Sequence, residues 1–112
     1  MWADDRRLTM ADEVLTQSVT VLNYGGIHLR AASLLVTTSR GFEADVWVAK
    51  DNHVVDAKSE PLQLLAMGIG EGEVLELRAR GTDAQAALDA LVELFAARFH
   101  EPIEENPQSS NM

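Results

Sequence analysis

Apolar and polar residues alternate along four short stretches of the chain, and this period of two predicts β-strands. The first stretch, residues 18–22, is rich in β-branched side chains. Residues 43–49 and 54–57 flank a turn at residues 51–52, which is the pattern of a β-hairpin. The fourth stretch covers residues 73–80. The chain is therefore expected to contain a sheet of four strands.

Three other stretches have the spacing of amphipathic helices. Residues 29–40 place apolar side chains on one face, and Gly41 follows as a C-terminal stop. Residues 59–67 predict a short helix that has Ser59 as its N-cap. The third helix follows a capping box, Thr82-x-x-Gln85. Its apolar stripe consists of Leu88, Leu91, Val92, Phe95 and Phe99.

The order of these elements, β-α-β-β-α-β-α, predicts the fold class. We expect an α+β open-faced sandwich, in which a four-stranded antiparallel sheet carries three helices on one face and leaves the other to water. Residues 17–100 form the single folded domain of this prediction. Residues 1–16 are interpreted as a flexible N-terminal extension, and residues 101–112 as a disordered acidic tail.

Composition and charge exclude several classes of function. The net charge of −9 and the lack of a basic stripe argue against nucleic-acid binding. The chain has no cysteine and only three scattered histidines, so neither a metal site nor a cofactor is expected. No apolar run is long enough to insert into a membrane. The N-terminal residues also lack a secretory signal, and we expect a cytoplasmic protein.

One segment combines the features of a phosphoryl site. His28 lies between a loop that contains Gly25 and Gly26 and the start of the first predicted helix. The first amides of a helix have no intrahelical partner and favour anions. Arg30 can add a charge-assisted hydrogen bond to the same oxygens. From this spacing alone, a second interpretation stays open, in which His28 only caps the helix and Arg30 is solvated.

Over residues 17–99 the chain resembles the HPr family, the histidine-containing phosphocarriers of the phosphoenolpyruvate-dependent sugar phosphotransferase system. The family motif Gly-Leu/Ile-His-x-Arg-Pro-Ala is similar to residues 26–32, Gly-Ile-His-Leu-Arg-Ala-Ala. Further matches in register are Gly41-Phe42, Ala57-Lys58-Ser59 and the stretch at residues 65–69. The interval from His28 to Ser59 requires no insertion or deletion.

The resemblance implies a specific chemistry. His28 would accept a phosphoryl group on Nδ1 from phosphorylated enzyme I and pass it to an enzyme IIA, with Arg30 as the assisting cation. Ser59 would be a regulatory site for an HPr kinase/phosphorylase. The protein would then be a stoichiometric carrier, not a turnover enzyme, and family precedent implies a monomer. Exposed apolar side chains at Leu29, Leu34 and Leu64 are the expected partner surface.

Two departures from the family pattern motivate an alternative hypothesis. Ala31 replaces the proline of the motif, which we expect to leave the helix intact but to loosen the geometry around His28. Glu60 and Pro61 replace apolar residues after Ser59, and Glu60 would repel an incoming phosphate. The alternative is therefore a regulatory protein with the HPr fold that binds partners but transfers phosphate poorly or not at all.

Overall fold

The computed structural model describes residues 13–101 and confirms the predicted fold class. Residues 1–12 and 102–112, which include most of the two predicted terminal segments, lie outside the described residues. The elements in chain order are β1 (Val14–Thr20), α1 (Leu29–Arg40), β2 (Asp45–Lys50), β3 (His53–Asp56), α2 (Pro61–Ala66), β4 (Val74–Arg80), α3 (Ala84–Ala96) and a 3₁₀ turn (Arg98–His100).

The four strands form one antiparallel sheet in the order β1-β4-β2-β3. The prediction of the first strand at residues 18–22 is wrong in its bounds, because β1 begins at Val14. Residues 14–16, assigned to the extension, pair with residues 78–80 of β4. The seven-residue β4 provides hydrogen-bonding partners along this whole length, and tertiary pairing overrides the local pattern.

The core lies between one face of the sheet and the helices. Its side chains have no more than a few per cent of their surface exposed, and the largest are Phe95, Phe99, Leu35, Leu64, Leu75, Leu77, Leu88 and Leu91. On the opposite face of the sheet, Arg80 lies over the ring of Trp47 at 5.5 Å. Val14, Val54 and Val74 are exposed, as expected for an open-faced sandwich.

The last helix ends earlier than its apolar stripe predicts. α3 stops at Ala96, and residues 98–100 adopt left-handed backbone angles with φ of 55–59°. Phe99 nevertheless reaches the core, where its ring packs edge-on against Phe95 with centroids 4.8 Å apart. The turn therefore keeps Phe99 buried while it redirects the chain toward the start of α1.

Two predicted N-caps are also wrong. α2 begins at Pro61 with Glu60 in the capping position, so Ser59 lies one residue outside the helix. α3 begins after Asp83, not after Thr82. The Asp83 carboxylate instead accepts hydrogen bonds from the amides of Glu43 (2.9 Å) and Ala44 (2.8 Å). It thereby ties the loop before β2 to the start of α3.

This contact predicts a pH-dependent contribution of Asp83 to stability. The Glu43 amide, and after it the Ala44 amide, holds the pKa of Asp83 below its ordinary value. The contribution is thus complete above the unfolded-state pKa of about 3.9 and is lost as pH falls through the folded-state pKa. We expect Asp83→Ala to lower the free energy of unfolding at pH 7 and to have a smaller effect in acid, measured by urea denaturation.

Asp89→Ala is the matched control for this prediction. Asp89 is exposed on α3, and its carboxylate accepts a hydrogen bond only from the side chain of Gln85 (2.9 Å) among the described contacts. Equal destabilisation by Asp83→Ala at neutral and acid pH would show that its carboxylate charge is irrelevant.

Candidate functional site

The loop before α1 is held in place by its own backbone and by one buried side chain. Gly25 and Gly26 have φ of +84° and +76°, which glycine adopts without strain. The Asn23 side chain is buried and donates from Nδ2 to the Gly26 carbonyl at 2.6 Å. The Ile27 amide donates to the Ile69 carbonyl at 3.0 Å. The loop is thus anchored on the segment that follows α2.

His28 stands at the capping position of α1, and its side chain is 45% exposed. Its backbone is extended (φ −98°, ψ −172°), and its carbonyl accepts the first helical hydrogen bond, from Ala32 at 2.9 Å. The amides of residues 29–31 therefore have no acceptor within the helix. The helix begins here even though Ala31 stands where the family motif has proline, which confirms that this substitution leaves α1 intact.

Arg30 lies on the first turn of α1 and contacts the 3₁₀ turn after α3. One guanidinium nitrogen donates to the Phe99 carbonyl at 2.9 Å. The side chain is 53% exposed, and a guanidinium has five N–H donors. Arg30 is thus held near the start of α1 while donors stay accessible to solvent.

Glu101 is the site residue that the sequence interpretation missed. It was assigned to the disordered tail, but its carboxylate oxygen Oε2 contacts Nε2 of His28 and lies 3.9 Å from a guanidinium nitrogen of Arg30. Its other oxygen, Oε1, lies 3.4 Å from Nδ2 of Asn23. The left-handed turn at residues 98–100 brings Glu101 back to the loop.

Ser59 lies between β3 and α2, and no described contact joins it to His28. Its hydroxyl donates to the Asp56 carbonyl at 3.2 Å and lies 3.2 Å from Oε1 of Gln63. The guanidinium of Arg40, at the end of α1, donates to the Ser59 carbonyl. The two predicted phosphorylation sites are therefore separate, although α1 and α2 pack against each other.

The predicted partner surface needs one correction. Leu29 is 57% exposed, and Leu34 is half-buried at the edge of the core. Leu64 is fully buried, so its assignment to the surface is wrong. The short helix α2 begins at Pro61 and turns Leu64 inward, whereas Leu62 is 63% exposed.

Residues 13–101 contain no group of histidine and acidic side chains arranged to hold a metal ion. No helix among them combines the length and the hydropathy that a membrane span requires.

Comparison with known proteins gives consistent matches. Residues 15–97 match the family described as "PTS HPr component phosphorylation site". The phosphocarrier protein HPr of Treponema pallidum is 38% identical over 79% of this chain and 99% of its own length. The phosphocarrier protein NPr of Shewanella violacea is 37% identical, with 78% and 94% covered. The crystal structure of HPr-C-His from Thermoanaerobacter tengcongensis superimposes with a TM-score of 0.74 at 36% identity, covering 80% of this chain and 99% of that one.

The two loop glycines predict different tolerance to substitution. A Cβ on Gly26 would lie 2.3 Å from the Ile69 carbonyl oxygen and 2.6 Å from Cα of Gly70, whereas a Cβ on Gly25 meets nothing within 4 Å. Gly25→Ala should lower the free energy of unfolding by only about 1 kcal/mol, the cost of placing alanine in a left-handed backbone conformation. Gly26→Ala should cost about 2 kcal/mol or more, because the loop must also move away from Ile69.

Thermal and urea denaturation of the two variants measure this difference. An amide NMR spectrum shows whether residues 27–30 shift more in Gly26→Ala. An equal decrease in the free energy of unfolding of the two variants would contradict the close approach of Gly26 to Ile69.

Proposed function

The chain belongs to the HPr family of phosphocarriers, and from this premise we propose that His28 is the residue that carries the phosphoryl group. The observation that supports this most strongly is the position of His28 at the capping residue of α1, half-exposed and followed by three amides without a helical acceptor. A phosphoryl group on the ring would meet those amides and the positive end of the helix dipole.

The proposed reaction consists of two successive phosphoryl transfers, one to His28 and one from it. A ring nitrogen of His28 attacks the phosphorus of phosphorylated enzyme I, and the bond from phosphorus to the donor breaks. An acceptor on an enzyme IIA later attacks the same phosphorus and releases His28. The helix dipole contributes about 0.3–1 kcal/mol at an exposed end. Stabilisation this weak suits a carrier, since a tight phosphate cage would retain the group.

Arg30 is the proposed assisting cation. Its hydrogen bond to the Phe99 carbonyl fixes the side chain near the first turn, and its remaining N–H groups can donate to phosphoryl oxygens. A single arginine adds charge-assisted hydrogen bonds without enclosing the group.

The proposed docking surface consists of Leu29, Leu34 and Leu62. Leu29 and Leu62 are largely exposed, and Leu29 directly follows His28. A small apolar surface beside the reactive residue suits transient complexes with enzyme I and an enzyme IIA. We place these encounters in the cytoplasm, where the protein acts as a stoichiometric carrier.

Phosphorylation by enzyme I and phosphoenolpyruvate tests the proposal. We expect the intact mass of the wild-type protein to increase by one phosphoryl group, which is labile in acid and stable in alkali. His28→Ala should remove the gain completely. His53→Ala is the matched control, because His53 is exposed in the β2–β3 hairpin and should not affect transfer. Acid-labile label on His28→Ala would refute the assignment.

An absence of mass gain in the wild-type protein would instead favour the regulatory alternative. In that case the protein would bind partners through α1 and α2 without forming phosphohistidine. Ala31 is fully buried in the first turn of α1 and replaces the proline of the family motif. Ala31→Pro would then test whether this replacement is the cause of the missing transfer.

We further propose that Ser59 is a regulatory phosphorylation site for an HPr kinase/phosphorylase. The guanidinium of Arg40 already lies against the Ser59 backbone and could pair with a phosphate there. Asp56 and Glu60 flank the serine and oppose the added charge. Partial exposure of Ser59 allows access to a kinase.

Incubation with an HPr kinase and ATP tests this site separately from His28. We expect one acid-stable phosphoryl group on the wild-type protein and on His28→Ala, and none on Ser59→Ala. Glu60→Gln should increase the initial rate a few-fold, because it removes a negative charge next to the acceptor. Equal labelling of Ser59→Ala and wild type would place the modification elsewhere.

A further inference from the structure

The contact between Glu101 and His28 determines which ring nitrogen carries the proton. Oε2 of Glu101 is buried, and no donor among residues 13–101, the His28 ring included, gives it a hydrogen bond of regular geometry. The nearest guanidinium nitrogen of Arg30 is 3.9 Å away, too far for a hydrogen bond. Nε2 of His28, which contacts Oε2, is the group left to satisfy it. A buried carboxylate oxygen requires a donor, so the proton belongs on Nε2.

A neutral imidazole has only one N–H, so a proton on Nε2 leaves Nδ1 with a free lone pair. Nδ1 is bonded to Cγ and is therefore the ring nitrogen nearer the backbone. Glu101 lies at the opposite nitrogen and does not occupy the position of a phosphoryl group on Nδ1.

We propose that Glu101 is a positioning residue, which holds His28 in the tautomer that directs phosphoryl transfer to Nδ1. The inference rests on the proposed function of His28 as the carrier residue. It assigns to Glu101 the role that an acidic partner has toward other reactive histidines, namely fixing the tautomer and orientation of the ring.

Phosphoryl transfer to Nδ1 requires no proton transfer. The lone pair of Nδ1 forms the bond to phosphorus, and the donor departs with the electron pair of its own bond to phosphorus. The ring becomes a cation that keeps its proton on Nε2, next to the Glu101 carboxylate. In onward transfer the N–P electron pair returns to Nδ1, and the ring is neutral again with the same proton. Glu101 thus opposes the ring charge in both directions of transfer.

Glu101 is itself held by the fold. Its side chain is only 13% exposed, against 45% for His28. Nδ2 of Asn23 lies 3.4 Å from Oε1, and Arg30 fixes the preceding turn through the Phe99 carbonyl. The groups facing the carboxylate are thus His28, Arg30 and Asn23, and together they restrict it to the Nε2 side of the ring.

The ¹⁵N chemical shifts of the His28 ring at alkaline pH, where imidazole is neutral, test the tautomer directly. We expect the wild-type protein to show a protonated Nε2 and a bare Nδ1. Glu101→Ala should give a mixture of tautomers. Glu101→Gln should retain the wild-type tautomer, since its amide oxygen can still accept from Nε2. Glu93→Gln, the same change at an exposed position of α3, is the control and should leave the ring shifts unchanged.

Transfer rates provide the second measurement. The initial rate of phosphorylation by enzyme I should fall about ten-fold in Glu101→Ala and by less in Glu101→Gln. Phosphate should remain on Nδ1 in the wild-type protein and appear partly on Nε2 in Glu101→Ala, as NMR of the phosphorylated ring can distinguish.

The outcomes separate this inference from the proposed function. Identical ring tautomers in wild type and Glu101→Ala, or a proton on Nδ1 in the wild type, would overturn the role of Glu101 even if His28 is phosphorylated. A wild-type protein that accepts no phosphoryl group would refute the carrier function, whatever the ring shifts show. Far-UV circular dichroism of each variant confirms that it is folded.

Discussion

The geometry of the site depends on the contact between the His28 loop and the segment after α2. Gly26 approaches the Ile69–Gly70 backbone so closely that no larger residue fits, and the Ile27 amide donates to the Ile69 carbonyl. This contact fixes the residue at which α1 can begin, and hence the residue that caps it. The sheet and the helices provide the rigid frame, but the position of His28 relative to the helix amides is set here.

The local features of the site could be predicted from the sequence, and the distant ones could not. The helix at residues 29–40 and the position of His28 at its start follow from spacing and from the glycines beside it. The positions of Leu64 and Glu101 could not be predicted, because each depends on the start of a helix or the course of a turn that the local sequence does not indicate. The burial of Leu64 depends on a helix whose capping position is Glu60, one residue later than the predicted cap Ser59. The contact of Glu101 depends on three left-handed residues that no local pattern indicates.

Asp83 shows that stabilising contacts, too, cannot always be predicted from local sequence. Its neighbour Thr82 completes a capping box in sequence, yet the carboxylate of Asp83 binds the amides of Glu43 and Ala44, about 40 residues away in the chain. A short polar side chain at a helix start can satisfy either its own helix or another loop, and only the packing of the two decides. Sequence patterns therefore predict that such a residue forms a stabilising hydrogen bond, but they do not predict which segment it binds.

One cation, Arg30, and one carboxylate, Glu101, lie together at the proposed site, and opposite charges of this kind would suit a reversible carrier. A cation close to a phosphoryl group stabilises it, and a carboxylate close to the same histidine limits the net positive charge around it. The same 3₁₀ turn positions both Arg30 and Glu101. The Phe99 carbonyl of the turn accepts a hydrogen bond from Arg30, and Glu101, which contacts His28, directly follows the turn. If His28 carries the phosphoryl group as proposed, a displacement of that turn would alter phosphoryl stabilisation and ring orientation together, because one segment positions both charges. The end of the folded domain is thus part of the site, and the acceptor residue alone does not define it.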